Sequence, residues 1–202
     1  MRIKVDLHIH STYSEDSQLT IDEIVRFYFE NGFKAIAITD HETFQGALNA
    51  RKLVKNLGID LTVILGMEIE TDKGELIILT DHEIVEIPRI AEKLIKKLKE
   101  SNGLTYAPHP FDPDRKSLGE NLYDLREIDA IEVINANSSK KYNSLAYDAM
   151  KLLGKPGLAN SDAHTIEGMG RAYTIIEVRR NNVKDILDSI RKGKIIRRIL
   201  RK

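Results

Sequence analysis

Short apolar runs alternate with longer amphipathic stretches along the chain. Runs rich in Ile, Val, Leu and Ala that are bounded by glycine or polar residues are typical of buried strands. They predict strands at residues 3–7, 35–39, 61–70, 75–79, 104–107, 130–134, 157–160, 172–178 and 194–200. About seven of these strands belong to units in which a strand alternates with a helix.

The amphipathic stretches have apolar positions three and four residues apart, which is the period of a helix with one buried face. They predict helices at residues 21–30, 44–56, 88–100, 143–153 and 183–192. Thr20 and Glu23 have the spacing of a capping box before the first of them. Asp72-Lys73-Gly74 predicts a hairpin turn between two strands.

This strand and helix alternation predicts an α/β fold built from parallel βα units. We expect a distorted β/α barrel, similar to a TIM barrel, with about seven strands; an open doubly wound sheet is the alternative. The chain has no linker-like segment, so we expect one domain over residues 1–202. A basic helix and strand from about residue 179 belong to that domain.

The composition is that of a globular protein without membrane spans or cysteine ligands. Hydrophobic residues make up 42% and charged residues 31% of the chain, and no apolar run approaches the ~20 residues of a membrane span. We therefore expect no membrane partner, and without a recognisable signal peptide we expect a cytoplasmic location. Cysteine is absent, so nitrogen and oxygen atoms must supply any metal ligands.

Histidines and acids cluster after the predicted strands, where β/α folds bind their ligands. The residues concerned are His8, His10, His41, Glu68, His109, Asp162 and His164. His82 is the exception among the histidines, and we interpret it as a surface residue.

The spacing of these residues suits metal binding. Residues two apart on a strand face the same side, so His8 and His10 can bind one ion together. The same holds for Asp162 and His164 if that segment is extended. Imidazole and carboxylate suit Zn²⁺, Mn²⁺ or Fe²⁺ better than Mg²⁺. The set exceeds the needs of one tetrahedral ion, so we expect two or three divalent ions, with Glu68 bridging two of them.

At these residues the sequence resembles the PHP (polymerase and histidinol phosphatase) family. Five motifs carry the resemblance in the family's order: Asp6-Leu7-His8-Ile9-His10-Ser11 followed by Ser14-Glu15-Asp16, Ile38-Thr39-Asp40-His41, Gly66-Met67-Glu68-Ile69, Ala107-Pro108-His109-Pro110, and Asn160-Ser161-Asp162-Ala163-His164.

The resemblance implies a barrel of about seven strands with a site for up to three ions at the carboxyl ends of the strands. It assigns three ligand sets, which are His8, His10, Glu68 and Asp162; Glu68 and His109; and Asp16, His41 and His164. Many members have a further histidine in the strand after the Glu68 motif. Here Glu75 stands at that place, and we expect it to serve the second ion as an oxygen ligand.

The predicted activity is that of a metal-dependent phosphoesterase (a phosphoric ester hydrolase). Its substrate would be a phosphomonoester of a small molecule, or a nucleotide or oligonucleotide phosphoester. The nucleophile would be a water activated by metal at His8, His10, Glu68, His109 and Asp162.

Several basic residues are candidates for binding the substrate phosphate. Arg171 is the first choice, because its planar guanidinium suits phosphate and glycines flank it in Gly168-Met169-Gly170-Arg171. Lys140, Lys141, Arg115 and Lys116 are weaker candidates.

Two other functions stay open. One is a metal-dependent C–N hydrolase of the amidohydrolase type. The other is a non-catalytic barrel that associates with nucleic acid. Residues 179–202 contain ten Lys or Arg and two Asp, about +8, which makes nucleic acid a candidate partner.

Overall fold

The structure is a computed structural model and describes residues 1–201. Its helices are α1 Ile21–Glu30, α2 Gln45–Leu57, α3 Ala91–Glu100, α4 Lys140–Leu153 and α5 Val183–Arg191. Its strands are β1 Arg2–Asp6, β2 Ala35–Ile38, β3 Thr62–Thr71, β4 Gly74–Thr80, β5 Leu104–Ala107, β6 Ala130–Asn135, β7 Gly157–Asn160, β8 Ala172–Glu177 and β9 Ile195–Leu200. Short 3₁₀ turns at Gly119–Tyr123 and Ile166–Gly168 interrupt two loops.

All the strands form one sheet in the order β7-β6-β5-β4-β3-β2-β1-β8-β9, so the α/β class and the barrel shape are confirmed. The expected strand number was too low, because the described chain has nine strands. The β3–β4 hairpin and the β8–β9 pair add antiparallel strands that a count of βα units leaves out. Four strand pairs are parallel and four are antiparallel, so the sheet is mixed.

Two hydrophobic clusters lie on the two faces of this sheet. The inner cluster includes Val5, Ala37, Ile64 and Tyr106, and α5 packs against it through residues such as Ile186. The outer cluster packs the other face of the strands against α1, α2, α3 and α4. Because the strands are buried on both faces, their sequences are nearly continuous apolar runs and do not alternate between apolar and polar residues.

The curved sheet nearly closes between β7 and β8, and side chains rather than a ladder join these strands. Thr174 Oγ1 donates to the carbonyl of Ala159 at 2.9 Å and accepts from its amide at 2.8 Å. Beyond these strands, the segments that follow β1 and β7 pair in parallel, with Ile9 opposite Ala163. The closure therefore brings the HxH segment directly beside the segment that carries Asp162.

Local sequence signals explain most helix boundaries. The capping box of Thr20 and Glu23 is present at α1. Two helix starts were misplaced: α3 begins at Ala91, since Pro88 lies in the preceding loop, and α4 begins at Lys140. Ser139 caps α4 through Tyr142 N, a start that the apolar periodicity does not indicate because the first turn is polar.

The basic C-terminal stretch is divided between the two ends of the barrel. The β1–β8 register pairs Arg2 with Glu177, so the residues after β8 lie at the end opposite His8. Arg179 and Arg180 at that end both contact Asp185. Only the last part of β9 returns to the end of the barrel that carries the HxH segment.

Candidate metal centre

The histidines and acids singled out in the sequence meet at one end of the barrel. His8, His10 and Asp162 are completely or almost completely buried, and so are Glu68 and His109. Asp16, His41 and His164 complete the assembly and are more exposed. Glu68 lies near the end of β3 and the others lie in segments that follow strands, so the barrel brings together side chains that are far apart in the sequence.

Ligand-type atoms of these residues form three compact groups, within each of which the atoms lie within 4.8 Å of one another. The groups are His8, His10 and Asp162; His8, Glu68 and His109; and His10, Asp16, His41 and His164.

The first of these groups (His8, His10 and Asp162) is called the central group, because it contacts both of the others. His8 Nε2 lies 3.1 Å from His10 Nε2, 3.4 Å from Glu68 Oε2 and 3.3 Å from Asp162 Oδ1. Glu68 also reaches the second group, since its Oε1 lies 3.0 Å from His109 Nε2. One carboxylate thus faces two groups with its two oxygens, which is the geometry expected of a bridging ligand.

The third group lies nearer the solvent. Asp16 Oδ2 lies 3.2 Å from His164 Nε2 and 3.4 Å from His41 Nε2. The ring of His10 stacks on that of His164 with centroids 4.3 Å apart, which joins this group to the central one.

Two polar atoms of the cluster have no partner within residues 1–201 of the protein, and a cation could take that place. Asp162 Oδ1 and His164 Nε2 are buried and have no hydrogen-bond partner among the described residues. Such orphaned atoms are rare unless an ion or water completes them. Since both point into the cluster, the residues present suit divalent metal ions.

Electrostatics within the cluster agree with this fit. Burial raises the pKa of Asp162, but the imidazoles of His8 and His10 outweigh burial and lower it to about 2. Burial also raises the pKa of Glu68, but His8, His10 and His109 outweigh burial and hold this pKa well below its usual range. Ionised carboxylates are the form that binds metal.

Glu132 is a site residue that the sequence analysis missed. It is completely buried in β6, and its Oε1 lies 3.1 Å from His8 Nδ1. Its Oε2 accepts from the backbone amide of His109 at 2.8 Å. A carboxylate behind a ligating histidine fixes which ring nitrogen faces the metal. The available signal was one acid inside the apolar run Ala130–Ile134.

His10 has a corresponding support from another strand end. Ser14 Oγ lies 3.2 Å from His10 Nδ1 and donates to Asp40 Oδ1 at 3.1 Å. Asp40 also accepts from the amide and hydroxyl of Ser11. The buried Asp40 therefore ties the HxH loop to the end of β2.

Glu75 lies close to the cluster but outside the three groups. It lines the same cavity as Glu68 and His109. Burial raises the pKa of Glu75, and the neighbouring charge of Glu68 raises it further.

The cavity above the cluster has a volume of about 310 Å³ and is lined by acids and by two cations, Arg115 and Lys116. Arg171, the preferred phosphate ligand from the sequence, is exposed and is not among the lining residues. Lys140 and Lys141 are exposed in the first turn of α4. His82 is exposed in the loop after β4, as expected.

The comparisons with known proteins agree with this arrangement. The sequence model of the PHP domain matches residues 6–146, and a second one, described as PHP-associated, matches residues 140–195. The uncharacterized protein MJ1587 of Methanocaldococcus jannaschii is 38% identical over 144 residues, which cover 66% of this chain and 82% of that protein.

Two solved structures share the fold. One is a two-domain protein from Bacteroides vulgatus that contains a predicted PHP-like metal-dependent phosphoesterase, with a TM-score of 0.75 and 19% identity over 96% of this chain. The other is a lesion-specific endonuclease from Pyrococcus furiosus, with a TM-score of 0.70 and 19% identity over 98% of this chain. The chain spans 64% and 58% of these proteins, and at this identity the likeness concerns the fold alone.

No helix in residues 1–201 is both long enough and apolar enough to cross a membrane.

The region that matches the PHP domain model includes the first four of the five motifs, and the barrel brings their side chains to one end. From the sequence match and the fold together, the chain belongs to the PHP domain family.

Proposed function

We propose that this protein is a metal-dependent phosphoesterase, with a phosphomonoester as its preferred substrate. The observation that carries the proposal is that three ligand groups meet below one cavity. Two buried ligand-type atoms, Asp162 Oδ1 and His164 Nε2, have no hydrogen-bond partner among the described residues, and the side chains of Arg115 and Lys116 line the cavity. The acidic side chains alone would repel a phosphate group. Bound divalent ions would offset their negative charge and attract the phosphate.

The ligand assignment is part of the proposal. The central ion would be held by His8, His10, Glu68 and Asp162. The second would be held by Glu68 and His109, with Glu75 as a further oxygen donor. The third would be held by Asp16, His41 and His164.

Zn²⁺, Mn²⁺ and Fe²⁺ suit these donors. Divalent ions at such a site supply Lewis acidity, which lowers the pKa of water and offsets negative charge on phosphate oxygens.

The chain's own residues hold this arrangement in place. Glu132 and Ser14 orient the rings of His8 and His10 from behind, and Glu68 faces two groups at once. Rigid positioning of this kind lowers the cost of organising charge during the reaction.

An amidohydrolase-type reaction on a C–N bond is the main competing function, because barrel amidohydrolases use similar HxH and Asp ligands. Those enzymes usually have a bridging lysine or a different order of histidines. Here a carboxylate, Glu68, lies between two of the groups, which favours phosphoesters.

Association with nucleic acid through the basic C-terminal stretch has less support. Within residues 179–201 the cations are divided between opposite ends of the barrel, so these described residues form no continuous path to the candidate metal centre. If phosphate contacts nevertheless drive binding, affinity should fall steeply with salt.

The test is hydrolysis of p-nitrophenyl phosphate with Mn²⁺ or Zn²⁺, with bis-p-nitrophenyl phosphate and p-nitroanilide amides measured in parallel. We expect monoester hydrolysis that a chelator abolishes and that His8→Ala and Asp162→Ala lose. His82→Ala, an exposed histidine, is the matched control and should keep wild-type activity. Full activity of His8→Ala would contradict the ligand assignment, and amide hydrolysis alone would support the competing function.

A further inference from the structure

The loop after β5 brings a guanidinium group to the metal centre. Arg115 Nη2 lies 3.2 Å from Asp162 Oδ2, and Arg115 lines the cavity above the three ligand groups. Its side chain is 33% exposed, so it is accessible from the cavity. The same loop carries His109, which places a candidate ligand and a cation on one short segment.

Backbone and side-chain hydrogen bonds fix this loop. The buried Asp112 accepts from the amide of Asp114 at 3.2 Å and from the hydroxyl of Ser138 at 2.6 Å. The amide of Arg115 donates to the carbonyl of Asp112 at 3.3 Å. The amide of Glu75 donates to the carbonyl of Lys116 at 2.7 Å, which attaches the loop to β4. Arg115 is therefore presented from a constrained backbone.

Asp162 does not need Arg115 to satisfy its outer oxygen. Asn135 Nδ2 donates to the same Oδ2 atom at 3.2 Å. Arginine has five N–H donors in a planar fork, and one contact to Asp162 leaves the others free for a second anion.

Its neighbour Lys116 is already paired, since Nζ lies 2.5 Å from Glu70 Oε2. Of the two cations Arg115 and Lys116 that line the cavity, Arg115 is the one that pairs with a member of a ligand group.

We propose that Arg115 binds the phosphate group of the substrate above the metal centre. This inference rests on the proposed phosphoesterase function and names the residue that recognises the phosphate. Charge-assisted bonds from a guanidinium fork to phosphate are strong and directional. In this role Arg115 takes the place that the sequence alone had given to Arg171.

The experiment compares Arg115→Ala and Arg115→Lys with two matched controls. Lys116→Ala removes a positive charge from the same loop. Asn135→Ala removes the other donor to Asp162 Oδ2. Each metal-loaded variant is assayed for KM and kcat on p-nitrophenyl phosphate, for inhibition by inorganic phosphate, and for phosphate binding by calorimetry. Metal dissociation constants are measured separately.

We expect Arg115→Ala to raise KM, and the inhibition and dissociation constants of inorganic phosphate, by about 10- to 100-fold while metal affinity stays within about threefold. Arg115→Lys should show a smaller rise, because the charge remains and the fork is lost. It also carries the test if the alanine variant does not fold. Lys116→Ala should change the phosphate constants much less than Arg115→Ala does, because Lys116 Nζ is paired with Glu70. Asn135→Ala should change metal affinity more than phosphate affinity.

Two outcomes overturn the inference. In one, the phosphate constants of both Arg115 variants match those of Lys116→Ala. In the other, Arg115→Ala weakens metal binding and leaves phosphate binding intact, which would make Arg115 a support for Asp162 only. If the wild-type protein binds phosphate through Arg115 but hydrolyses no phosphoester, the proposed function fails and this inference stands.

Discussion

Replacing Glu132 by glutamine tests whether a buried carboxylate organises the metal centre. The change keeps the shape of the side chain and removes its charge and one acceptor oxygen. In the native structure each oxygen has two donors. Oε1 faces His8 Nδ1 at 3.1 Å and Asn160 Nδ2 at 2.7 Å, and Oε2 faces His109 N at 2.8 Å and Asn135 Nδ2 at 2.9 Å.

A glutamine must place its NH₂ group against one of these pairs of donors. The asparagines cannot turn over freely, because Asn160 Oδ1 accepts from Leu7 N at 3.1 Å and Asn135 Oδ1 accepts from Asn137 N at 2.8 Å. With the NH₂ group towards Oε1, His8 can change its tautomer, but Asn160 Nδ2 loses its acceptor. With the NH₂ group towards Oε2, Asn135 Nδ2 still has Asp162 Oδ2, but the amide of His109 loses its acceptor. At about 1–3 kcal/mol for one unsatisfied buried group, Glu132→Gln should lower the free energy of unfolding by about 1–3 kcal/mol.

The effect on metal binding follows from the tautomer of His8. A carboxylate oxygen 3.1 Å from His8 Nδ1 favours the tautomer in which Nδ1 carries the proton and Nε2 faces the cluster without one. An NH₂ group at that position favours the other tautomer, in which Nε2 is protonated and cannot bind metal. Loss of such a supporting carboxylate typically weakens metal affinity or activity by about 10- to 100-fold.

The assay is a competition titration of Zn²⁺ or Mn²⁺ against a chromophoric chelator, together with denaturant unfolding of the metal-free protein. Glu177→Gln, an exposed glutamate on β8, is the matched control and should behave as wild type. Wild-type metal affinity and unchanged unfolding in Glu132→Gln would refute the reasoning. Lower stability with normal metal affinity would limit Glu132 to a structural role.

Two further predictions concern stability. A Cβ on Gly46 would lie 1.9 Å from Asp40 Oδ2, so Gly46→Ala should destabilise the protein by about 1–3 kcal/mol and lower Tm by about 2–4 °C for each kcal/mol. Gly168→Ala, whose nearest contact is an ordinary 3.4 Å, is the control, and equal melting of the two variants would contradict the prediction. Added Mn²⁺ or Zn²⁺ should stabilise the native protein by about 2.7 kcal/mol at 100 times its Kd. Chelator should reverse the shift in Tm, and identical melting curves with and without metal would contradict a metal centre.

Local sequence signals determined a large part of the fold. The strands, the hairpin turn at Asp72-Lys73-Gly74 and the capping box at Thr20 depend on side chains close together in the chain, and all of them are present. The number of strands in the barrel was expected to be lower than it is, and the antiparallel pairs other than the β3–β4 hairpin could not be predicted in this way. They depend on which strands become neighbours, and that is decided by closure of the whole sheet.

The candidate ligands were found from sequence because they stand at strand ends, where a β/α barrel places its binding residues. Spacing correctly paired His8 with His10, but Asp162 and His164 lie in different groups, because Asp162 has a φ of 51° and the segment is not an extended strand there. Glu132 has no such signal, and the sequence ranked Arg115 below Arg171 as a phosphate ligand. Glu132 contacts His8 across 124 positions and Arg115 contacts Asp162 across 47.

By itself, the sequence determined the family, the barrel class and the set of histidines and acids of the candidate metal centre. Only the tertiary structure decided which buried carboxylate contacts His8, which cations line the cavity and how the described basic C-terminal residues are divided. The physical reason is that hydrophobic periodicity and motif spacing report the near neighbours of a residue. Contacts across the barrel exist only after the sheet has curved and brought β6, β7 and the loop after β5 against β1.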